Sequence, residues 1–306
     1  MATNSSSARS YAVLSIGAAV VTIALKFGAY FLTNSVGLLS DAIESIVNLV
    51  AALVAFWALT RAAQPPDATH PYGHSKAEYF SSGLEGALII VAAASIAWAT
   101  WGRLLAPQPL EQVGLGLGIS LLASVVNGGV ALILMRAGKR LRSVTLRADA
   151  HHLFTDVWTS AGVLLGVVLV KLTGWLRLDP IIAIIVAVNI VWTGWKLLRE
   201  TGSGLMDAAL PIEEQQIIVE TLRPYEHQGI QFHALRSRVA GTRRFVSFHV
   251  LVPGEWSVKR GHDLCEEVEL AICRALPKTH ISTHLEPLND PASWDDQELE
   301  RECDQR

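Results

Sequence analysis

A chain of 306 residues that is 51% hydrophobic and 17% charged, with a mean hydropathy of +0.34, is too apolar for an ordinary soluble protein and too polar for a pure membrane bundle. Its formal net charge of −3 gives no electrostatic support for nucleic-acid binding, so no nucleic-acid partner is expected. The three cysteines, Cys265, Cys273 and Cys303, contain no CxxC pair and are odd in number, which argues for reduced thiols rather than a disulfide framework.

The average hides two regions. Up to about residue 200 the chain is rich in Ala, Val, Leu, Ile and Gly; from about 207 it is charged and alternating. Residues 1–10 read as a polar N-terminal tail on the cytoplasmic side. Six apolar stretches, near 11–33, 35–59, 82–105, 112–136, 149–171 and 180–199, are each long enough to cross a hydrocarbon core of roughly 30 Å as a helix. The first is too long for a signal-peptide core, and it contains Lys26. Basic residues set the topology. Arg61 and Lys76 follow the second span, Arg136, Lys139, Arg140, Arg142 and Arg147 follow the fourth, and Lys196 and Arg199 end the sixth. The opposite side holds only Arg103, Lys171 and Arg177. Both termini are therefore expected in the cytoplasm.

Residues 207–288 read as a compact αββαβ domain. Pro211 opens a helix with Glu213 and Glu214 in its first turn, where the helix dipole favours them. A hairpin follows over 231–239 and 244–252, then a helix near 257–275 and a last strand over 279–286. The polar, acidic tail, 289–306, has little to pack and is expected to be disordered or a frayed helix.

Three constellations carry chemistry. Asp41, Glu44 and Asn48 lie at i, i+3 and i+7 of the second span, along one stripe of a helix, and Asp149, His152 and Asp156 repeat that spacing in the fifth. Ionisable residues inside a membrane segment are costly and mark ion pathways. If the two stripes face each other, Glu44, Asn48, His152 and Asp156 supply carboxylate, carbonyl and imidazole ligands for a borderline divalent ion such as Zn2+, Fe2+, Co2+, Cd2+ or Mn2+. Asp41 and Asp149, one turn earlier, are either outer groups of that site or partners for basic residues such as Arg147. In the loop after the second span, Asp67, His70 and His74 fall within eight residues, with Gly73 allowing the bend. In the soluble part, His233 and His249 sit on the two hairpin strands, His262 at the start of the next helix, and His280, His284 and Glu286 on the last strand. There Glu286 could bridge two metals held by the histidines.

The segments Ser35-Val-Gly-Leu-Leu-Ser-Asp-Ala42, His70-Pro-Tyr-Gly-His-Ser-Lys-Ala-Glu78 and Ala148-Asp-Ala-His-His-Leu-Phe-Thr-Asp156 resemble those of the cation diffusion facilitator family, from about residue 10 to 288. The resemblance implies an α-helical membrane protein, with six transmembrane helices over 11–206 and a cytoplasmic αββαβ metallochaperone-like domain. It implies a homodimer in a lipid bilayer, expected to be the cell inner membrane, that exchanges a divalent metal for protons by alternating access. By resemblance, Glu44, Asn48, His152 and Asp156 form the transport site and Asp67, His70 and His74 the loop site. His233, His249, His262, His284 and Glu286 form the cytoplasmic site, and Lys76 and Asp207 a charge interlock at the inner membrane surface. Zn2+ or a similar ion is then substrate and structural ligand, and no catalytic cofactor is expected. One departure stands out: the family commonly has Asp or His followed four residues on by Asp, where this chain has Glu44 and Asn48.

Two other classes are open to the same residues. A non-transporting, metal-responsive membrane scaffold would use the cytoplasmic site for dimerisation, with transport disabled by Asn48. An intramembrane metalloprotease needs a motif such as HExxH, which the chain lacks, so enzymatic activity is not expected.

Overall fold

The computed structural model describes residues 2–33, 36–105 and 115–295; for 36–44 and several other helical positions it describes the backbone alone. The chain divides into two compact units, 1–203 and 204–306, each treated by itself below.

The first unit holds six long helices: α1 (Ala2–Thr33), α2 (Val36–Ala62), α3 (Ala77–Leu105), α4 (Leu115–Leu141), α5 (Val144–Thr173) and α6 (Leu178–Leu205). A helix closes its own backbone hydrogen bonds, which hydrocarbon cannot supply. Among the described residues, stretches of α1, α2, α3, α4 and α6 are long and apolar enough to cross a membrane. The first turns of α5 instead carry Arg147, Asp149, His151, His152 and Asp156. Small side chains let the helices approach. Ala12, Ala18, Ala131, Ala137 and Ala150 share one core with Leu134, Leu146 and Leu153. Between α3 and α6, a Cβ on Gly194 would meet Ile90 at 2.8 Å and the Gly86 carbonyl at 3.2 Å, so only glycine fits this approach. Large apolar side chains such as Trp98, Trp192, Val188 and Val125 point outward, as in a bundle immersed in lipid.

Helical order extends beyond the apolar stretches. The helix 2–33 includes most of the segment read as a tail, and α5 starts at Val144, five residues before the span expected at 149. Ser143 caps α5 by accepting from the Leu146 N–H at 3.3 Å, and Gly174, at φ 75°, ends it. Hydropathy marks the part of a helix that suits lipid, whereas caps mark where the helix begins and stops.

The second unit is α7 (Ile212–Glu226), β1 (Gln231–Ala240), β2 (Arg243–Val252), α8 (Val258–Ala275), β3 (Thr279–Pro287) and a 3-10 turn, η1 (Pro291–Trp294). The sheet order is β1-β2-β3, with β1 antiparallel and β3 parallel to β2. The parallel step follows from α8, which crosses between β2 and β3. One face of the sheet carries Val246, Phe248, Val250 and Val252 into a core with Ile218, Leu222, Val268 and Ile272 of the two helices. Between His233 and Arg236, β1 has one residue more than β2 opposite it, and Ala234 takes φ 51° there. The bulge keeps His233, Arg236 and Arg238 on the face opposite the core. Arg244, though on the core side, is held by Glu214 (Nε–Oε2 2.7 Å, Nη2–Oε1 3.0 Å) and the Pro277 carbonyl (2.7 Å).

The expected αββαβ order is the one found. The acidic tail differs: 291–294 forms the turn η1 packed against β3, while 296–306 lie outside the described residues. Phe248 is fully buried at the centre of this core. Phe248→Ala is expected to cost about 3–5 kcal/mol of the second unit's stability. Hydrogen-exchange mass spectrometry should show lost protection across β1–β3 while α1–α6 keep theirs.

Candidate functional site

The two membrane stripes meet. His152 Nε2 lies 2.7 Å from Asn48 Oδ1, and Asn48 Nδ2 donates to Asp156 Oδ2 at 2.5 Å. A carbonyl oxygen can only accept, so this contact places the imidazole proton on Nε2. Asn48 and His152 are both buried at 5% exposure. The Glu44 and Asp41 side chains lie outside the described residues. A residue not expected at the site completes it: Asn127 of α4 donates from Nδ2 to Asp156 Oδ2 at 3.1 Å, leaving its own Oδ1 buried without a partner. A lone Asn inside an apolar span was the available signal.

Asp149 does not pair with Arg147, which instead pairs with Glu200 of α6. Asp149 is buried beside Ser15, with Oδ2 unpartnered. A second residue not expected, the acid Glu78, follows the loop at the start of α3. It accepts from the Ser143 hydroxyl at 2.5 Å and the Thr145 N–H at 3.4 Å, tying α3 to the start of α5.

The loop residues converge as expected. Asp67 Oδ1 is 3.4 Å from His70 Nδ1, Asp67 Oδ2 is 3.3 Å from His74 Nε2, and the two rings stand 4.4 Å apart. Gly73 turns the chain at φ 84°. Two ligands about 2.0–2.1 Å from a tetrahedral Zn2+ lie about 3.3 Å apart, so these spacings suit one ion. The Thr69 hydroxyl and the His70 backbone N–H, donating to Asp67 at 2.7 Å each, hold its carboxyl below the usual carboxylate range. The carboxylate is therefore ionised and ready for a cation at physiological pH.

In the second unit the strand register aligns His233, His249 and His284 as direct neighbours across the sheet, on the face away from the core. Glu286, two residues beyond His284, shares that face. His233 Nε2 lies 2.9 Å and His249 Nδ1 3.2 Å from Glu286 Oε2, and the two nitrogens are 3.1 Å apart. Opening by a few tenths of an ångström would admit a Zn2+ among them. His284, exposed, approaches the other oxygen, Oε1, at 3.5 Å. His262, exposed in α8, makes no hydrogen bond or ring contact with the cluster among the described residues. His280 meets the Phe245 ring edge-on instead, with centroids 5.8 Å apart. Cys265 and Cys273 are free, and burial raises both thiols, which disfavours the thiolate a metal needs. Of the expected interlock, Asp207 pairs with Arg238 at 3.0 Å within its own unit.

Residues 12–206 match the model of the cation efflux transmembrane domain, and residues 210–288 that of the cation efflux protein cytoplasmic domain. The chain therefore belongs to the cation diffusion facilitator family of cation-efflux transporters, as an integral, multi-pass membrane protein. It is 60% identical over 287 residues to an uncharacterized transporter of Synechocystis sp., covering 94% of this chain and 93% of that one. It is 28% identical over 277 residues to the cation-efflux pump FieF of Klebsiella pneumoniae, covering 90% and 91%. A solved structure of CzrB in its zinc form is 36% identical and covers 26% of this chain and 90% of that one, at a TM-score of 0.25 that adds nothing about the fold.

Asn127→Ala leaves Asp156 with one amide donor fewer. Loss of such a supporting contact is expected to weaken metal binding or transport about 10- to 100-fold, measured as Zn2+ uptake into everted vesicles. Uptake equal to the wild type would show that Asn127 does not hold Asp156 for the ion.

Proposed function

We propose that this chain exports a divalent metal from the cytoplasm in exchange for protons, with Zn2+ favoured and Fe2+, Co2+, Cd2+ and Mn2+ suited to the same ligands. The observation that carries the reading is the Asn48–His152–Asp156 cluster, which brings two matched polar stripes from helices far apart in sequence to one point. Glu44, one turn before Asn48, is the proposed fourth ligand. Zn2+ and its neighbours accept carboxylate, amide carbonyl and imidazole together. If Nε2 takes the metal, a neutral His152 shifts its proton to Nδ1 and releases none, whereas a protonated imidazole gives up the Nε2 proton. Metal binding therefore releases a proton wherever His152 or Asp156 was protonated beforehand. Proton uptake at His152 or Asp156 from the outer side then favours release, and the proton gradient drives export as the bundle alternates its access.

In this reading both termini are cytoplasmic, the protein works as a homodimer in the cell inner membrane, and metal also binds as a structural ligand at two accessory sites. These are the loop site of Asp67, His70 and His74, and the cytoplasmic site of His233, His249, His284 and Glu286, with His262 joining if α8 or a second protomer brings it in.

Flux in proteoliposomes under an imposed pH gradient, with a panel of divalent ions, tests the reading. His152→Ala and Asp156→Ala are each expected to abolish flux, and undiminished flux in either would overturn the assignment. Asn48→Asp adds a carboxylate, and is expected to tighten binding and reorder the ions. An unchanged ranking would remove Asn48 from the ligand set.

A further inference from the structure

A histidine that binds metal through one ring nitrogen usually has its other nitrogen fixed by a carboxylate, carbonyl or water, which sets the ring's orientation. His233 departs from this pattern. Its Nε2 faces Glu286 and His249, while Nδ1 is buried with no hydrogen-bond partner. What holds the ring is aromatic contact. The Trp294 indole meets it edge-on, with centroids 5.4 Å apart and an interplanar angle of 85°; His249 lies on another side at 5.0 Å.

Trp294 is itself anchored. The main chain continues β3 through the Leu288 N–H, which donates to the Val252 carbonyl at 2.8 Å. Asp290 caps the turn by accepting from the Ala292 N–H at 2.9 Å, and the Ser293 hydroxyl donates to the Pro287 carbonyl at 2.9 Å. The indole Nε1 donates to the Leu288 carbonyl at 3.3 Å. These bonds fold residues 288–294 back so that the indole, which starts from the β3 side, reaches a histidine on β1. This segment lies beyond residue 288, where the match to the cytoplasmic-domain model ends.

We propose that Trp294 is a positioning residue for the cytoplasmic metal site: its indole locks the His233 ring so that Nε2 points at the ion, in place of the missing partner on Nδ1. The inference rests on the reading of His233, His249 and Glu286 as metal ligands. Removing the indole frees the ring to rotate, so the ion must then immobilise it.

The test uses the full chain in detergent, with Zn2+ titrated against a chelator. His233→Ala defines the class of binding that belongs to this site. Within that class Trp294→Ala is expected to weaken binding about 3- to 10-fold, while Trp294→Phe, which keeps an aromatic edge, recovers most of it. The melting temperature of the EDTA-treated protein should be the same in all three proteins, which separates orientation of the ring from general destabilisation. The emission difference between wild type and Trp294→Phe should be quenched by Co2+, and the quenching should vanish in His233→Ala. Wild-type affinity in Trp294→Ala, or equal losses in the Ala and Phe variants, would overturn the positioning role alone. If His233→Ala itself binds like wild type, the reading of the site fails, and the role of Trp294 with it.

Discussion

Inside a hydrocarbon slab a polar side chain has no water to fall back on, and the Asn48 amide is where this constraint is resolved. Its oxygen accepts from His152 and its nitrogen donates to Asp156, so one neutral side chain bridges the imidazole Nε2 and a carboxylate oxygen on α5, while His152 Nδ1 is buried without a partner. Asn127 adds a second donor from α4. Three helices are joined at a single polar point, across 108 residues of sequence between Asn48 and Asp156. A carboxylate at position 48 would face Asp156 with no proton to donate, and the pair would need a cation to coexist. With Asn, the amide holds the imidazole and the carboxylate together through two hydrogen bonds and no cation. In the proposed transport site an entering ion has to be worth more than those bonds, so the amide would set the affinity threshold for cargo as well as joining the helices.

Much of this was legible in the sequence because helices and strands repeat. The stripes at i, i+3 and i+7 predicted that Asn48, His152 and Asp156 could meet, and hydrogen bonds of 2.7 and 2.5 Å bring the three side chains together. Asp67, His70 and His74 were close because a short loop with a glycine leaves them little room to separate. Asn127 was missed because one amide in an apolar helix has no repeat to mark it; only the packing of α4 on α5 reveals its partner. Glu78 was missed for a related reason. It was read as part of a loop motif, whereas its carboxylate caps a helix that begins 66 residues later at Val144. The ordered turn at 291–294 escaped a reading based on composition, since a few local hydrogen bonds and one aromatic contact suffice to fix it.

The soluble unit solves a different problem with the same economy of elements. Two helices cover one face of a three-stranded sheet and make the core, which frees the other face for chemistry. Because β3 runs parallel to β2 in unbroken register, His249 and His284 are true neighbours, and Glu286 follows two residues on. These side chains come from three strands, so the hydrogen-bonded ladder itself holds their spacing.

The extra residue in β1 between His233 and Arg236 has a bearing on which length changes the gene can tolerate. Side chains alternate sides along a strand, and this bulge is what lets His233, an odd-numbered position, share a side with the even-numbered Arg236 and Arg238. Loss of a single codon there would leave every amino acid on either side intact yet force a choice. Either the two arginines would turn into the packed interior with Val246 and Phe248, or the histidine would. Among heritable variants, substitutions along this strand can be absorbed one side chain at a time, while a deletion of one residue at the bulge would be selected against as though it were several mutations at once.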